Sequence, residues 1–78
     1  MANVKIYSTP TCPYCRMAKD FLKANKIEFT DIDVSQNQKA AQEMITRSGQ
    51  MGVPQLEIDG NIIVGFDKTA IKRALNIQ

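Results

Sequence analysis

The sequence predicts an α/β fold in which a four-stranded mixed sheet carries helices on both faces. Strand-like and helix-like periodicities alternate along the chain in the order β-α-β-α-β-β-α. A helix joins the first two strands, which favours a parallel pair with a right-handed crossover. The dipeptide Asp59-Gly60 joins the last two strands and is a strong signal for an antiparallel hairpin. With 78 residues, the chain is expected to form one domain over residues 1–78.

A turn separates the first strand from the first helix. Residues 4–7 alternate apolar and polar side chains and are rich in β-branched and aromatic types, which is typical of a strand. Residues 8–11 are turn-forming, and Pro13 suits the first helical position, where its missing N–H costs nothing. We expect this helix to end near Asn25 and to bury one apolar face. That predicted face consists of Tyr14, Met17, Ala18, Phe21 and Leu22.

The second strand and second helix follow. Residues 27–34 mix β-branched and aromatic residues with acids, which predicts an edge strand. Residues 35–38, Ser-Gln-Asn-Gln, have the spacing of a capping box. Gly49 is placed to end the helix that begins there. Its predicted inner face consists of Ala41, Met44, Ile45 and Ser48.

The last three elements are a hairpin and a short helix. Residues 55–58 and 61–64 flank Asp59-Gly60 as two short strands. Asp67 is a suitable cap for a final helix, with Phe66 and Ile71 spaced as a hydrophobic staple. The predicted buried face of that helix consists of Ile71, Ala74 and Leu75.

Composition excludes several functional classes. Ten basic and eight acidic side chains give a net charge of +2, without the concentrated basic stripe of a nucleic-acid binder. No apolar run approaches the roughly 20 residues that span a bilayer. The N-terminal residues lack the charged-then-apolar order of a secretory signal. We therefore expect a protein that binds neither nucleic acid nor membrane, and we further expect it to be a cytoplasmic monomer.

The only two cysteines are Cys12 and Cys15, and the chain has no histidine. A disulfide between them closes so small a ring that it constrains little of the unfolded chain, so it is a poor structural staple. In a reducing cytosol such a pair indicates catalysis or metal binding.

Redox chemistry explains the position of this pair at the start of a helix. The nucleophile in disulfide exchange is a thiolate, and the free N–H groups and positive dipole end of a helix stabilise one at Cys12. Cys15 follows about one turn later and can reach Cys12 to form or resolve a disulfide. We expect Cys12 to attack and Cys15 to resolve, with Arg16 and Lys19 adding positive charge nearby.

The alternative is metal binding, as half of a zinc site or as part of an iron–sulfur cluster shared between two chains. Structural zinc usually takes four Cys or His ligands, and this chain supplies two cysteines. Only a dimer or carboxylate ligands would complete such a site, so no metal is expected.

With these residues the chain resembles the glutaredoxin family over essentially its whole length. Cys12-Pro13-Tyr14-Cys15 matches that family's dithiol motif letter for letter, whereas thioredoxins carry Gly-Pro between the cysteines. The resemblance implies a compact thioredoxin-like fold and a thiol–disulfide oxidoreductase with glutathione as co-substrate. Its substrates would be protein disulfides and glutathionylated proteins. Tyr14 either packs on the helix face or flanks the thiol groove beside Pro13.

A second motif, Gly52-Val53-Pro54, matches the Thr-Val-Pro segment of glutaredoxins. The resemblance implies that Pro54 is cis and faces the dithiol. It also implies that the backbone of Val53 pairs with an extended thiol peptide, which is recognition by strand addition.

The third motif departs from the family. Glutaredoxins carry Gly-Gly-x-Asp-Asp before the last helix, and here Gly65 and Asp67 match whereas Val64 and Lys68 do not. The resemblance implies that Gly65, Phe66 and Asp67 hold the γ-glutamyl end of glutathione, because a helix N-terminus suits a carboxylate. Asp67 as a helix cap alone would also explain its presence.

Other departures favour a different reductant. Thr9 and Ala41 stand where many glutaredoxins place basic or polar groups for the glycine end of glutathione. Gly65-Phe66 also resembles the Ser-Gly-Phe segment of glutaredoxin-like electron donors to ribonucleotide reductase. Those donors are reduced by thioredoxin reductase, so that enzyme and ribonucleotide reductase are alternative partners.

Overall fold

The computed structural model describes residues 3–77 and has the predicted order of elements. The strands are β1 (Val4–Ser8), β2 (Thr30–Asp33), β3 (Gln55–Ile58) and β4 (Asn61–Val64). The helices are α1 (Pro13–Ala24), α2 (Gln38–Ser48) and α3 (Lys68–Leu75). The compact α/β architecture predicted from the sequence is confirmed.

The sheet has the strand order β2-β1-β3-β4, so β1 is central and β2 lies at an edge, as predicted. β1 pairs parallel with β2 and antiparallel with β3, and β3 and β4 form the antiparallel hairpin. Asp59 and Gly60 both have positive φ, at 50° and 89°, which is the backbone conformation that a two-residue hairpin turn requires.

Apolar side chains divide between the two faces of the sheet because strand residues alternate sides. On one face, the buried residues of the sheet pack against α1 and α3. This larger cluster contains Val4, Ile6, Ala18, Leu22, Leu56, Ile58 and Ile71. On the other face, Tyr7 packs with Ala40 and Met44 of α2. No helix within residues 3–77 is long and apolar enough to cross a membrane.

Two boundaries differ from the prediction. Strand pairing begins only at Thr30, because Ile27 and Phe29 pack on the core ahead of the hydrogen-bonded segment. The predicted capping box is wrong: Asn37 caps α2, and its Oδ1 accepts from the Ala40 N–H at 3.0 Å. Ser35 instead donates to Asp33 through both its backbone N–H and its hydroxyl.

The buried face of α1 also differs. Its fully buried residues are Cys15, Ala18 and Leu22, with Phe21 partly buried beside them. Tyr14 and Met17 were predicted on this face, yet they are 62% and 49% exposed. They lie at the N-terminal end of the helix, where no other element of residues 3–77 buries them.

Candidate active site

The two cysteines form a disulfide at the N-terminus of α1. Cys12 is the N-cap residue and half-buried, whereas Cys15 lies in the first turn and is fully buried. The backbone N–H of Cys15 points at Cys12 Sγ, at 3.1 Å. After reduction, a thiolate on Cys12 is placed to accept that hydrogen bond at the positive end of the helix dipole.

Val53 and Pro54 lie directly beside this disulfide. The peptide bond between them is cis, as the resemblance implies. The Val53 carbonyl oxygen lies 3.8 Å from Cys12 Sγ, and Pro54 is buried. The ladder between β1 and β3 explains the proximity, because Tyr7 pairs with Gln55 where β1 runs toward the cysteine loop.

Gln55 fixes the loop that leads to Val53, a role beyond the strand start that its place in the sequence predicts. The side chain is fully buried. Its Nε2 donates to the carbonyls of Gln50 at 3.0 Å and Gly52 at 2.8 Å. Its Oε1 has no partner among residues 3–77. The only signal in the sequence is an amide side chain next to Pro54, and that does not predict a buried clamp.

The N-terminus of α3 borders the same site. Gly65, at φ 84°, donates its N–H to the Pro54 carbonyl at 2.8 Å. Asp67 caps α3, with its Oδ1 accepting from the Ala70 N–H at 3.1 Å, so the predicted cap is confirmed.

Aromatic packing joins α3 to α1. The ring of Phe66 meets that of Phe21 edge-to-face at 6.0 Å between centroids. Lys68 Nζ lies 5.7 Å from the centroid of the same Phe21 ring, within reach of a cation–π contact. Lys68, which replaces an acid of the family motif, therefore packs across this junction.

The exposed large apolar side chains of residues 3–77 lie at the end of the sheet that carries the disulfide. They are Tyr14, Met17, Met51 and Val64. Tyr14 and Met17 follow Cys12 on α1, Met51 precedes Val53, and Val64 pairs with Gln55. Exposure of Tyr14 shows that its ring does not pack in the core.

A polar cluster ties β1, β2 and α1 together next to the cysteine loop, and no sequence motif indicated it. Asp31 accepts hydrogen bonds from buried Ser8 Oγ at 2.7 Å and from Lys19 Nζ at 2.8 Å. Burial opposes ionisation of Asp31, but these hydrogen bonds and the charges of Lys19 and Lys23 outweigh it. The pKa of Asp31 therefore lies below its ordinary value of 3.8.

The structure thus brings most of the predicted site residues together. Cys12 contacts Val53, and the Pro54 carbonyl accepts a hydrogen bond from the Gly65 N–H. Phe66 and Asp67 follow Gly65 in the chain. Within residues 3–77, no three His, Cys, Asp or Glu side chains are grouped as metal ligands.

Comparison with known proteins identifies the family. The glutaredoxin family model matches residues 4–63. A glutaredoxin-like 8.6 kDa protein encoded in the rubredoxin operon of Clostridium pasteurianum is 50% identical over 72 residues, which cover 92% of this chain and 96% of that protein. Glutaredoxin 3 of Escherichia coli K12 is 45% identical over 67 residues, which cover 86% of this chain and 81% of that protein.

Solved structures show the same fold. The glutaredoxin of Archaeoglobus fulgidus superposes with a TM-score of 0.86 at 25% identity, over 96% of this chain and 87% of that one. The glutaredoxin-like protein NrdH-redoxin of Escherichia coli gives 0.83 at 21% identity, over 91% and 92% of the two chains, and its structure was described for a thioredoxin-like activity profile. From its dithiol, its thioredoxin-like fold and these relatives, we conclude that the chain belongs to the glutaredoxin family of thiol–disulfide oxidoreductases.

Proposed function

We propose that this protein uses glutathione to reduce protein disulfides and glutathione mixed disulfides through Cys12 and Cys15. The observation that carries the proposal is the position of Cys12. Its sulfur lies at a helix N-terminus, half-exposed, and 3.8 Å from the carbonyl of Val53, which also offers a backbone to an extended thiol substrate. We further propose that it acts as a monomer in the cytoplasm, where the dithiol is kept reduced.

The proposed cycle begins with the reduced dithiol. The Cys12 thiolate attacks one sulfur of the substrate disulfide, the substrate S–S bond breaks, and the departing thiolate takes a proton from solvent. For a protein disulfide, the Cys15 thiolate then attacks Cys12, releases the second substrate thiol and leaves the Cys12–Cys15 disulfide. Two glutathione molecules reduce that disulfide in sequence, with a glutathione mixed disulfide on Cys12 between the two steps.

Glutathione is favoured by the position of the α3 N-terminus. It lies next to the Val53–Pro54 segment, through the hydrogen bond from Gly65 to Pro54. Free N–H groups at such a terminus suit a carboxylate, and the Asp67 side chain adds an acceptor for an ammonium group. A γ-glutamyl end carries both groups.

Variants of the two cysteines test the roles. We expect Cys12→Ser to lower turnover with glutathione by at least about a thousandfold, as the loss of a nucleophile does in other enzymes. Cys15→Ser is expected to keep the one-thiol reaction with glutathione mixed disulfides, since that reaction needs only Cys12. The measurement is NADPH oxidation coupled through glutathione reductase. Wild-type turnover in Cys12→Ser would refute the assignment.

The second candidate is an electron donor to ribonucleotide reductase, itself reduced by thioredoxin reductase. It is favoured by the Gly65-Phe66 pair and by Lys68, which stands at the position of an acid in the family motif. The Lys68 ammonium lies over the Phe21 ring. Supplying the protein with either glutathione and glutathione reductase or thioredoxin reductase, both with NADPH, separates the two. Turnover with thioredoxin reductase alone would select the second candidate.

A further inference from the structure

A cleft of about 220 Å³ opens on the α1 side of Cys12. Its walls include Thr9 and Cys12, together with the charged residues of the outer face of α1. Val53, Gly65, Phe66 and Asp67 do not line it. The proposed glutathione groups and this cleft therefore meet Cys12 from different sides.

The cleft has an unbalanced positive charge. Arg16, Lys19 and Lys23 line it, against a single acid, Asp20. Lys19 is paired with Asp31 at 2.8 Å. Over residues 3–77, Arg16 and Lys23 form no ion pair, so two cationic groups remain available along the cleft, with Arg16 the nearer to Cys12 in the chain.

Size and spacing limit what the cleft can hold. Pockets for whole small molecules usually measure about 300–1,000 Å³, so this volume suits one or two side chains. Along the helix axis, Arg16 lies about 6 Å and Lys23 about 16 Å from Cys12, at 1.5 Å per residue. An extended substrate segment advances about 3.3 Å per residue, so its second residue from the attacked cysteine reaches Arg16 and its fifth reaches Lys23.

We propose that this cleft binds an acidic side chain of a protein client, close in sequence to the disulfide that Cys12 attacks. The inference rests on the proposed exchange at Cys12, but not on the identity of the reductant. The first exchange step is unchanged: Cys12 bonds to one client sulfur and the other leaves as a thiolate. The acid pairs with Arg16 and holds the client sulfur at Cys12.

The test uses single turnover of the pre-reduced protein with two peptides. Each peptide contains one intramolecular disulfide, and the two differ only by Glu or Gln at the second residue from the attacked cysteine. Oxidation of the protein is followed by intact mass in acid-quenched samples. We expect the Glu peptide to react about threefold to fivefold faster at low salt, the size of a partly exposed ion pair, and the ratio to approach one at high salt.

In Arg16→Gln, we expect the ratio of the Glu-peptide rate to the Gln-peptide rate to fall to one. The ratio is the readout because a change in thiol reactivity or in folded fraction slows both peptides equally. Arg73→Gln is the matched control: Arg73 is exposed in the last turn of α3 and does not line the cleft, so the ratio should remain. For peptides with the Glu or Gln at the fifth residue, we expect Lys23→Gln rather than Arg16→Gln to bring the rate ratio to one.

Equal rates for the two peptides in the wild type, or an unchanged ratio in Arg16→Gln, would overturn the inference and leave the proposed exchange intact. Failure of every peptide to oxidise the reduced protein would overturn the exchange itself, and the inference with it. Because no glutathione is present, a wrong reductant cannot produce either result.

Discussion

Asp31 joins three segments of the chain through one carboxylate. It lies on β2, accepts from Ser8 of β1 and pairs with Lys19 of α1. Ser8 is 2% exposed, so its hydroxyl depends on this acceptor. The loop that carries Cys12 runs between Ser8 and α1, so this carboxylate links the strand before the loop to the helix after it.

The pKa of Asp31 predicts how its contribution to stability depends on pH. Because the folded-state pKa lies below the ordinary 3.8, the ionised form stabilises the fold at neutral pH, and this contribution is lost as pH falls from 3.8 through the folded pKa. We expect Asp31→Asn to lower the free energy of unfolding by up to about 1 kcal/mol at pH 7, since the pair with Lys19 is partly exposed. Urea unfolding at pH 7 and below pH 3 measures it.

Asp20→Asn is the control for that experiment, because it removes an exposed acid of α1 that forms no ion pair in the described part of the chain. A difference between wild type and Asp31→Asn that persists undiminished at the lowest pH would contradict the assignment.

Lys68 supports a second prediction at a single position. We expect Lys68→Asp to strengthen coupling to glutathione, because it restores the family's second acid beside a ligand ammonium. Lys68→Gln separates this effect from loss of the contact with Phe21. The measurement is the apparent affinity for glutathione in the coupled assay. If Lys68→Asp leaves that affinity unchanged, the second acid has no part in ligand preference.

Single residues were predicted from the sequence where local chemistry fixes them. The positions of Cys12 and Cys15 at the start of a helix were predicted because a helix N-terminus stabilises a thiolate. Asp67 was predicted as a cap because its side chain can accept from a free N–H of the first turn. Gln55 and Asp31 were missed, because their hydrogen-bond partners are set by strand pairing and by a loop conformation that no local pattern shows.

At the scale of elements, α2 and α3 begin with the same chemistry. Asn37 and Asp67 each accept a hydrogen bond from the backbone N–H three residues later. Gly65, two residues before Asp67, donates to the Pro54 carbonyl, whereas in the described part of the chain no hydrogen bond joins Asn37 to the Val53–Pro54 segment, although Ala40 and Val53 pack in one cluster. Comparing variants of the two caps therefore distinguishes an effect on helix stability from an effect on ligand binding.

We expect Asp67→Ala and Asn37→Ala each to lower the free energy of unfolding by about 1 kcal/mol, the usual cost of a lost N-cap. Only Asp67→Ala is expected to raise KM for glutathione, because only that carboxylate lies at the proposed ligand site. Chemical denaturation and steady-state kinetics measure the two effects. An equal KM in both variants would mean that Asp67 is a cap alone.

The elements differ in how well the sequence predicts them. The hairpin and α3 match the prediction because Asp59-Gly60 and Asp67 are unambiguous local signals. β2 was predicted too long, since apolar residues such as Ile27 and Phe29 reach the core without joining the ladder. The inner face of α1 was misjudged at Tyr14 and Met17, because helical spacing alone does not distinguish a core residue from one at a binding surface.

For the whole molecule, one ion pair lies beside the cysteine loop and the other lies toward the hairpin end of the sheet. Arg47 of α2 pairs with Glu57 of β3, and the same guanidinium donates to the Gly60 carbonyl in the hairpin turn. Glu57 is 8% exposed, whereas the Arg47 side chain is 41% exposed, so desolvation falls mainly on the carboxylate. Burial and the Glu57 charge raise the pKa of nearby Tyr7 above its ordinary value of 10.0. The disulfide lies at the other end of β3.

We expect Arg47→Met to destabilise the fold by about 1–3 kcal/mol, because it leaves the Glu57 carboxylate buried and unpaired. The exchange rate of the folded protein should not change, since neither Arg47 nor Glu57 lines the clefts beside Cys12. Lys19→Met, which breaks the pair with the more exposed carboxylate of Asp31, should cost less than about 1 kcal/mol. Denaturant midpoints compare the two variants. Equal losses in the free energy of unfolding would contradict the claim that the Glu57 carboxylate is more desolvated than that of Asp31.

The central claim is that Cys12 is the nucleophile and that glutathione is its partner. The most direct measurement is the intact mass of Cys15→Ser after exposure to oxidised glutathione, with Cys12→Ser treated in parallel. The account predicts a stable adduct of one glutathione on Cys15→Ser and little on Cys12→Ser, whose remaining thiol is fully buried. No adduct on Cys15→Ser, or equally fast addition to Cys12→Ser, would contradict it.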